Sequence, residues 1–380
     1  MAPTILRAHK IRLYPNNKQA TYFAKACGIA RFAYNWALAR TKELYRLDET
    51  HIFSETALRR DLNAIKREQF PWMLDVTKCA PQLAIKNCLN SAFKNFFAKK
   101  AGFPKFHKKG VNDSFEISND QIKVKGKFVH IPKLGNVRLA EALRFGGRII
   151  SATVSRAASH WYISIQVETA KPEPIHSAAS ENQAVGVDVG VNALAVLSDG
   201  TVVEGNKPSK KYAKKLRRAQ QDLSRKTGAR KGEKKSANYR KQQLKVSLLH
   251  EKIANSRNDG LHKLSTMLTR DYSIIGIEDL NVKGMVKNHS LAKAIHDQSW
   301  SELGRQLAYK ADVTGSYVHY SDRFFASSQI CSACGHKNAE AKKLSVREWV
   351  CPQCGEAHSR DKNAAENLKL DAIRAVYGAA

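Results

Sequence analysis

A chain of 380 residues is long enough for roughly two to three domains and a sizeable core. Its 64 Lys and Arg residues outnumber 34 Asp and Glu residues, which gives a formal net charge of +30. Such an excess opposes folding through self-repulsion, so nucleic acid is favoured as a partner over the alternative of a merely soluble basic protein.

Membrane and secreted classes are excluded by the sequence. No run of about 18 apolar residues exists, so no membrane span is predicted. The N-terminal residues MAPTILRAHKIRLYP lack the apolar core of a signal peptide. Four of the seven cysteines occur in CxxC pairs, and Cys27, Cys79 and Cys88 are scattered, unlike an even disulfide framework. We therefore expect a cytoplasmic, nucleoid-associated protein without a membrane partner or a small-molecule substrate.

Helical periodicity follows a short predicted strand, HKIRLYP. From Gln19 to about Lys100, apolar residues recur at three- and four-residue spacing with basic residues between them. Phe93, Phe96 and Phe97 are predicted to lie in the core. After the interruption GFPKFHKKG, six short runs with period-two alternation predict a small β-barrel or sandwich, which the N-terminal strand could join.

A polar segment with two prolines, residues 171–183, is predicted to link this region to a second domain. There the strand GVDVG carries Asp188, and ALAVLS turns through Asp199 and Gly200 into TVVEG, which is typical of a hairpin.

The next predicted elements are helical and very basic. Residues 209–270 form a long stretch that Gly228 and Gly232 are predicted to divide into two helices. The apolar strand YSIIGIEDL then brings Glu278 to its end. A flexible charged segment, NVKGMVKNHS, is predicted next, and a helix to about Lys310, the strand SYVHYS and a cysteine module precede the final helix.

The cysteine module has the spacing of a metal site. CSAC and CPQC, each followed by glycine, enclose the 16 residues 335–350, within the range of about 15–20 that zinc-binding CxxC pairs show. Each glycine suits the tight turn that points backbone N–H groups at a thiolate. Four thiolates close a tetrahedral shell, which predicts one structural Zn²⁺; reduced thiols, a redox pair or an Fe–S cluster are the alternatives. The predicted ligands are Cys331, Cys334, Cys351 and Cys354.

Three acidic residues occupy positions that need a partner. Asp188 lies among valines, Glu278 ends an apolar strand, and Asp361 opens the last helix. Taken alone, Asp188 could cap a turn and Asp361 could complement the helix N-terminus. Together they form the carboxylate cluster with which a nuclease holds two Mg²⁺ ions about 3.5–4 Å apart at a phosphodiester. The hairpin after Asp188 and the order strand, strand, helix indicate the RuvC branch of the RNase H-like fold.

Several motifs resemble the TnpB family of transposon-encoded RNA-guided nucleases, related to type V CRISPR effectors. They cover most of the chain: HKIRLYPNNKQ, ARFAYNWAL, AFKNFF, GFPKFHKKG, GVDVG, GIEDLNVKGM, SSQICSACG and CPQCGEAHSRDKNAAENL. The resemblance implies that Asp188, Glu278 and Asp361 are catalytic metal ligands and that the four cysteines bind zinc. It also implies a lid at residues 281–300, for which a polar connector is the alternative, and Arg360 at the scissile phosphate, for which a surface arginine is the alternative.

The resemblance further implies that the partners are a guide RNA from the transposon end and target double-stranded DNA, with one protein chain per guide RNA. Positive charge on every face of residues 207–257 favours a nucleic-acid backbone over a solvated helix face. Lys78 and Gln82, four residues apart around Pro81, are candidates for recognising a short A/T-rich motif, with ordinary polar surface as the alternative. The candidate contacts are Lys78, Gln82, Lys210, Lys211, Lys214, Lys215, Arg217, Arg218 and Arg360.

The predicted fold is an α/β multidomain protein: an RNase H-like RuvC nuclease domain with an inserted zinc ribbon, preceded by a wedge-like β-barrel domain that carries a helical recognition lobe. The predicted ranges are 1–18 and 111–172 for the wedge-like domain, 19–110 for the lobe, 183–328 and 357–380 for the nuclease domain, and 329–356 for the ribbon. The predicted function is guided, Mg²⁺-dependent cleavage of double-stranded DNA beside a short motif. A catalytically silent RNA-guided regulator and a guide-free RNase H-like nuclease or transposase are the alternatives.

Overall fold

The computed structural model describes residues 3–48, 54–227, 235–343 and 345–378. Two compact units make up the chain, Met1–Lys171 and Pro172–Ala380. Each unit contains helices and a β-sheet, so the chain is an α/β multidomain protein, as predicted. Within the described ranges, no helix has both the length and the apolar character that a membrane span requires.

A seven-stranded antiparallel sheet forms the β part of the N-terminal unit. Its order is β2-β6-β7-β1-β5-β4-β3, so the N-terminal strand joins the sheet between β7 and β5, as predicted. Alternate residues of β7 are buried, among them Trp161, Ile163 and Ile165, in the expected period of two. Closure into a barrel stays a prediction. The strands are β1 (Thr4–Tyr14), β2 (Ser114–Ser118), β3 (Lys123–Lys125), β4 (Phe128–Ile131), β5 (Gly135–Leu139), β6 (Arg148–Ala157) and β7 (His160–Ala170).

Among the described residues of the region with helical periodicity, the α-helices are α1 (Asn17–Leu47), α2 (Glu55–Gln69), α3 (Cys79–Lys86) and α4 (Lys94–Phe97). A capping box begins α1, because the side chains of Asn16 and Gln19 each accept a hydrogen bond from the other residue's backbone N–H, at 2.9 and 3.0 Å. The helix packs on the sheet through Phe23, whose ring centroid lies 5.1 Å from that of Trp161. A π-helical stretch, Asn87–Phe93, joins α3 to α4.

The prediction that three phenylalanines lie in the core is wrong for Phe97. Phe93 is buried and Phe96 is half-buried, whereas Phe97 is 70% exposed. The helix ends at Phe97, and the segment that follows returns Phe103 to the rings of Phe93 and Phe96, at centroid distances of 5.7 and 5.2 Å. Spacing along a helix predicts which residues share a face, but it does not predict whether another element covers that face.

The C-terminal unit contains a five-stranded sheet of order β10-β9-β8-β11-β12. The hairpin predicted after Asp188 is present, because β9 pairs antiparallel with both β8 and β10. In contrast, β8, β11 and β12 are parallel, and Ile277 of β11 lies opposite Val187 of β8. The strands are β8 (Ala184–Asp188), β9 (Ala195–Leu197), β10 (Val202–Val203), β11 (Ile274–Glu278) and β12 (Tyr317–Ser321).

The helices that the structure describes between these strands are α5 (Pro208–Arg225), α6 (Ala237–Asp271), α7 (Val282–Met285), α8 (His289–Gln298) and α9 (Trp300–Thr314). The break predicted at Gly228 and Gly232 falls outside the described residues. The segment NVKGMVKNHS, predicted to be flexible, is instead largely helical. Asn281 and Asn288 cap its helices, since their side chains accept backbone N–H hydrogen bonds from Gly284 and Ser290, each at 3.1 Å.

Helix α10 (Arg360–Tyr377) follows a short antiparallel pair, β13 (Glu348–Val350) and β14 (Ala357–Ser359). It packs across β8 and β11 at positions where both strands have glycine. A Cβ atom on Gly186 would overlap the carbonyl oxygen of Ala365, and one on Gly276 would overlap that of Leu368. Only glycine permits this approach of helix backbone to strand backbone.

Gly276→Ala is expected to destabilise the C-terminal unit. The added methyl group would meet backbone atoms of α10, which cannot move aside as a side chain can, so the cost should be about 1–3 kcal/mol or more. Urea unfolding followed by circular dichroism measures it. Gly146→Ala is the matched control, because its Cβ meets nothing within 4 Å. Equal unfolding midpoints for the two variants would contradict the close approach.

Candidate active site

The carboxyl ends of β8 and β11 bring two predicted site residues, Asp188 and Glu278, to one edge of the sheet. Their preceding residues pair in parallel register, so the two acids are neighbours. Gly186 and Gly276, two residues earlier on each strand, face α10. Since side chains alternate along a strand, Asp188 and Glu278 also lie on the α10 side of the sheet.

Asp361 reaches the same edge from the first turn of α10. It precedes Ala365, which packs on Gly186, by four residues and therefore lies on the same helix face. Glu278 and Asp361 are both close enough to Asp188 to raise the pKa of its carboxyl group. The structure thus brings the three predicted carboxylates together.

Asp188 is the most strongly perturbed of the described acids at this edge. Burial above all, and then the charges of Glu278 and Asp361, raise the pKa of its carboxyl to about 8, although Arg360 and Arg347 act in the opposite direction. At neutral pH Asp188 is therefore mostly protonated unless a cation joins the cluster. Carboxylate oxygens from three separate elements form the kind of hard-ligand set that Mg²⁺ binds.

A hydroxyl group that the sequence analysis did not identify orients Glu278. Ser327 is buried, and its Oγ donates a hydrogen bond of 2.6 Å to Oε1 of Glu278. The carbonyl of Ser327 in turn accepts a hydrogen bond of 2.8 Å from the side chain of Asn367 on α10. The helix that carries Asp361 therefore also positions the group that holds Glu278.

Two buried asparagines of α10, Asn363 and Asn367, fix the loop of residues 327–332. Both donate to the carbonyl of Ile330 at 2.7 Å, and Asn363 Oδ1 accepts the N–H of Ser332 at 2.9 Å. Their four-residue spacing in DKNAAEN, which places both on one helix face, was the one sequence feature that could have revealed this role.

The four predicted zinc ligands meet beside this loop. Two knuckles make the same turn: Gly335 and Gly355, at φ 78° and 77°, donate their N–H groups to the carbonyls of Cys331 and Cys351 at 2.8 and 2.9 Å. Left-handed backbone at these positions explains the glycine after each CxxC pair. The sulfur atoms that lie within 4.8 Å of one another are those of Cys331, Cys334, Cys351 and Cys354.

Four thiolates at this spacing fit one tetrahedral Zn²⁺ in a closed shell. Among the described residues, this is the one set of three or more His, Cys, Asp or Glu side chains whose ligand atoms all lie within 4.8 Å. The three carboxylates do not meet that distance. A site for two ions about 3.5–4 Å apart does not require it, because its ligands spread over both ions.

His358, for which the sequence predicted no role, packs inside the zinc module. It is buried, its Nε2 lies 3.0 Å from Sγ of Cys331, and its ring centroid lies 4.7 Å from that of Trp349. An imidazole N–H directed at a thiolate stabilises the deprotonated sulfur that zinc requires. Because His358 lies two residues before α10, it joins the zinc module to the start of that helix.

Two arginines extend from the module to the carboxylates. Arg347 forms an ion pair of 3.4 Å with Asp361. Arg360, predicted at the scissile phosphate, donates to the carbonyl of Lys343 at 3.1 Å and to Oγ of Ser328 at 3.4 Å. These contacts tie Arg360 to the module, yet its charge still acts on Asp188. The sequence analysis missed Arg347, which is 14 residues from Asp361 along the chain.

The predicted motif-reading residues flank the start of α3. This helix begins at Cys79 with Pro81 in its first turn, the position that tolerates proline. Lys78 is exposed, with its Nζ 3.8 Å from a carboxylate oxygen of Asp120, and Gln82 is half-buried. Recognition of bases by this pair stays a prediction.

The predicted basic contacts lie on α5, which packs against α6. Lys214 and Arg217 line a cleft of about 990 Å³ together with His250, Arg257 and Lys293, and none of the described residues that line it is acidic. Such a cleft suits an anionic strand. The remaining candidates on this helix are exposed: Lys210, Lys211, Lys215 and Arg218.

Three family models match the chain. Residues 164–289 match the OrfB_IS605 model, described as "Probable transposase", and residues 300–368 match the Cas12f1-like TNB domain. Residues 1–49 match the OrfB_IS605 helix-turn-helix domain, although here they contain one strand and one long helix.

Curated relatives match over nearly the whole chain. "Putative RNA-guided DNA endonuclease InsQ" of Escherichia coli (strain K12) is 36% identical over 96% of this chain and 91% of its own length. A "Putative RNA-guided DNA endonuclease" of Streptomyces pristinaespiralis is 35% identical over 97% and 90%. The chain belongs to the TnpB family. This membership confirms the resemblance that the sequence motifs indicated.

A solved relative of this TnpB-family chain supports the fold. The protein in a cryo-EM structure of a Cas12f1–sgRNA–target DNA complex matches with a TM-score of 0.57 and 14% identity, over 96% of this chain and 99% of its own. At that identity the similarity shows a shared fold. The match of residues 300–368 to a TNB domain, together with the four-cysteine cluster, fits the predicted zinc ribbon.

Asp188→Asn is expected to stabilise the metal-free protein at neutral pH. The folded-state pKa of Asp188 is raised from 3.8 to about 8, so its contribution to stability is complete below pH 3.8 and is lost as the pH rises through 8. Asparagine does not titrate, so the difference between variant and parent should grow across this range to at least about 1.4 kcal/mol, the equivalent of one pKa unit.

Urea unfolding in EDTA at a series of pH values measures this difference. Asp259→Asn is the matched control, since Asp259 is exposed on α6 and pairs with Lys263. Its effect on the free energy of unfolding should be small and should not change with pH. A pH-independent effect of Asp188→Asn on the free energy of unfolding would show that the pKa of Asp188 is not raised in the folded protein.

Ser327→Ala is expected to weaken divalent-cation binding at the carboxylates. It removes the hydrogen bond that orients Glu278, and a bond to a charged group contributes about 1.5–3 kcal/mol, or roughly tenfold or more in affinity. Calorimetric titration of the zinc-loaded protein with Mn²⁺ measures it. Ser301→Ala, at an exposed position of α9, is the control, and Ser327→Thr should restore affinity. Unchanged Mn²⁺ affinity in Ser327→Ala would exclude the orienting role.

Proposed function

We propose that Asp188, Glu278 and Asp361 are the catalytic carboxylates with which this RNA-guided DNA endonuclease holds two Mg²⁺ ions. The observation that carries the proposal is their convergence at one sheet edge, where burial and mutual charge raise the pKa of Asp188 to about 8. Acids perturbed in this way are typical of functional sites. Two near-full-length relatives, each described as a "Putative RNA-guided DNA endonuclease", support the activity.

Two bound Mg²⁺ ions would stabilise the charge that develops on the attacking and leaving oxygens of the phosphodiester. Asp188 would lose its proton on binding a cation, because a cation would compensate the burial and like charge that raise its pKa. Oε1 of Glu278 accepts the hydrogen bond of the Ser327 hydroxyl, so Oε2 would be the oxygen available to a cation. Cleavage in this mode leaves 5′-phosphate and 3′-hydroxyl ends.

The arginines at the site add positive charge on the side where phosphate would lie. Arg347 pairs with Asp361, and Arg360 acts on Asp188 from the same module. Both guanidinium groups would stabilise the negative charge of the phosphate electrostatically. A direct hydrogen bond to the phosphate is not required for this effect. Arg360 thereby keeps the role predicted from the sequence, and Arg347 shares it.

One Zn²⁺ held by the four cysteines would be structural, because their closed shell leaves no position for substrate. Its task is to keep the knuckles, His358 and the first turn of α10 in one arrangement. We extend the proposal to the division of the chain into a wedge-like domain, a recognition lobe, a nuclease domain and a zinc ribbon at the ranges predicted from the sequence.

Specificity in this proposal comes from pairing between a guide RNA, encoded at the transposon end, and the target strand. The protein contributes backbone contacts, for which the cationic cleft lined by Lys214 and Arg217 is suited, and recognition of a short adjacent motif, to which we assign Lys78 and Gln82. One chain would act with one guide RNA, in the cytoplasm at the nucleoid.

The test is cleavage by the chain purified with RNA expressed from its own transposon end. The bound RNA is sequenced, and the complex is given DNA that carries a matching target beside a randomised flank, with Mg²⁺ or with EDTA. We expect cuts beside one recurrent flank in Mg²⁺ alone. Asp188→Ala should lower the rate by at least about a thousandfold while target binding persists, because it removes a metal ligand.

Asp259→Asn is the matched acid control and should cleave normally, since it changes one exposed ion pair on α6. Guided binding without Mg²⁺-dependent cuts would identify a silent regulator. Cleavage by a chain that carries no RNA of defined length would identify a guide-free nuclease or transposase. Either result would contradict the proposal.

A further inference from the structure

Three phenylalanines of the N-terminal unit form an exposed aromatic surface, which we call the ring platform. Phe97 is 70% exposed, Phe103 is 44% exposed and Phe106 is 49% exposed. They lie within ten positions of one another, at the end of α4 and in the segment after it. Exposing a group of large apolar side chains to water costs free energy, so such a surface usually has a partner that covers it.

The rings are fixed by the residues beneath them. Phe93 is buried, and its ring centroid lies 6.3 Å from that of Phe97 at an interplanar angle of 26°. Phe96 lies 5.3 Å from Phe97 and 5.2 Å from Phe103. The rings of Phe93 and Phe96 therefore fix the orientation of the platform rings that they contact.

The chain on the far side of the platform is clamped to α1. The side chain of Asn35 donates to the carbonyl of His107 at 3.0 Å and accepts its N–H at 2.7 Å. The ring of Tyr34 stacks on that of His107, with centroids 3.8 Å apart at 9°. These contacts immobilise the residue next to Phe106. The platform is thus rigid enough to bind without a large loss of conformational entropy.

The chain segment that carries the rings has charge of one sign. Residues 91–110 contain six lysines and no acidic residue. Lys42 of α1 also approaches, with its Nζ 5.1 Å from the ring centroid of Phe103 and 5.0 Å from that of Phe106. All six lysines of the segment are exposed: Lys94, Lys99, Lys100, Lys105, Lys108 and Lys109. The partner must therefore be an anion that also offers apolar or aromatic faces.

Unpaired nucleotides meet both requirements. A base has an aromatic face on which a phenylalanine ring can stack, and each linkage supplies a phosphate for lysine. Paired bases in a duplex already stack on their neighbours and expose only their edges. A second copy of this chain would bring the same lysines against one another, which opposes self-association through this surface.

We propose that the ring platform binds single-stranded nucleic acid, with bases stacked on Phe97 and Phe106 and phosphates on the surrounding lysines. The inference adds a contact for unpaired nucleotides to the proposed function. It rests on the proposed function only for the question of which nucleic acid supplies the single strand. Opened target DNA and a single-stranded part of a guide RNA offer the same chemistry.

The test compares two probes that share a backbone. Fluorescence anisotropy measures binding of the full chain to a thymidine oligonucleotide of about 16 nucleotides and to an oligonucleotide of equal length whose sites all lack bases. Wild type should prefer the probe with bases. Phe97→Ala with Phe106→Ala should lower affinity for that probe about tenfold or more and leave the abasic probe unchanged, since stacking needs a base.

Three further variants separate stacking from other effects. Phe97→Leu with Phe106→Leu keeps apolar bulk and should still lose most of the base preference, which guards against a folding defect. Phe324→Ala removes another ring, 89% exposed, from the C-terminal unit and should change nothing. Lys105→Gln with Lys108→Gln should weaken binding of both probes equally. It should also reduce the slope of log affinity against log salt concentration by about 1.4.

Retention of the base preference in both double phenylalanine variants would overturn the proposal. A wild-type dimer in light scattering that Phe97→Ala makes monomeric would overturn it in favour of a second copy. A parallel titration with oligouridine distinguishes RNA from DNA as the natural strand. The phenylalanine substitutions should lower affinity more for whichever of the two the platform binds in the natural complex. The assay needs neither Mg²⁺ nor cleavage, so loss of activity in Asp188→Ala leaves its outcome unaffected.

Discussion

Helix α10 lies so close to the C-terminal sheet that its carbonyl groups occupy the space where side chains of β8 and β11 would otherwise project. This contact sets the helix position against both strands at once. Asp361 is four residues before Ala365, and Asp188 and Glu278 are each two residues beyond a contacting glycine. The relative placement of the three carboxylates therefore follows from backbone packing, which is much stiffer than the side chains themselves.

The same helix organises the support for the site. Asn363 and Asn367 bind the backbone of residues 327–332, and that loop returns the Ser327 hydroxyl to Glu278. The first zinc knuckle begins at Cys331 in this loop, and the second ends just before β14 and α10. Asp361 lies close to the four cysteines because the cysteine module, the loop and the start of α10 form one hydrogen-bonded assembly.

Charge has two different roles in this molecule. At the carboxylates, like charges and burial raise the pKa of Asp188 and create a demand for cations. In α5 and in the segment of the ring platform, lysines and arginines far outnumber acidic residues and create a demand for polyanions. A nuclease that binds a phosphate backbone and cleaves it needs both, and the two kinds of charge meet at the carboxylates, where Arg347 pairs with Asp361.

Local order along the chain was predictable to a large extent. Period-two alternation predicted the strands of the N-terminal sheet, and apolar runs with a hairpin signal predicted those of the C-terminal sheet. Gly335 and Gly355 after the CxxC pairs predicted the tight knuckle turns, because such turns depend on a few adjacent residues. Phe97 was misplaced and NVKGMVKNHS was taken as flexible, since coverage of a face and capping by Asn281 depend on neighbouring structure.

By itself, the sequence determined which residue types are present and how they are spaced: four cysteines for a metal, three acids at element ends, and a large excess of positive charge. Those facts indicated the candidate carboxylates and zinc ligands, and the longer motifs around them carried the resemblance to the family. Only the tertiary structure decided that Ser327, Arg347 and His358 act on these groups and that Phe97 faces water. Contacts between residues distant along the chain arise from packing, and packing leaves no fixed spacing in a single sequence.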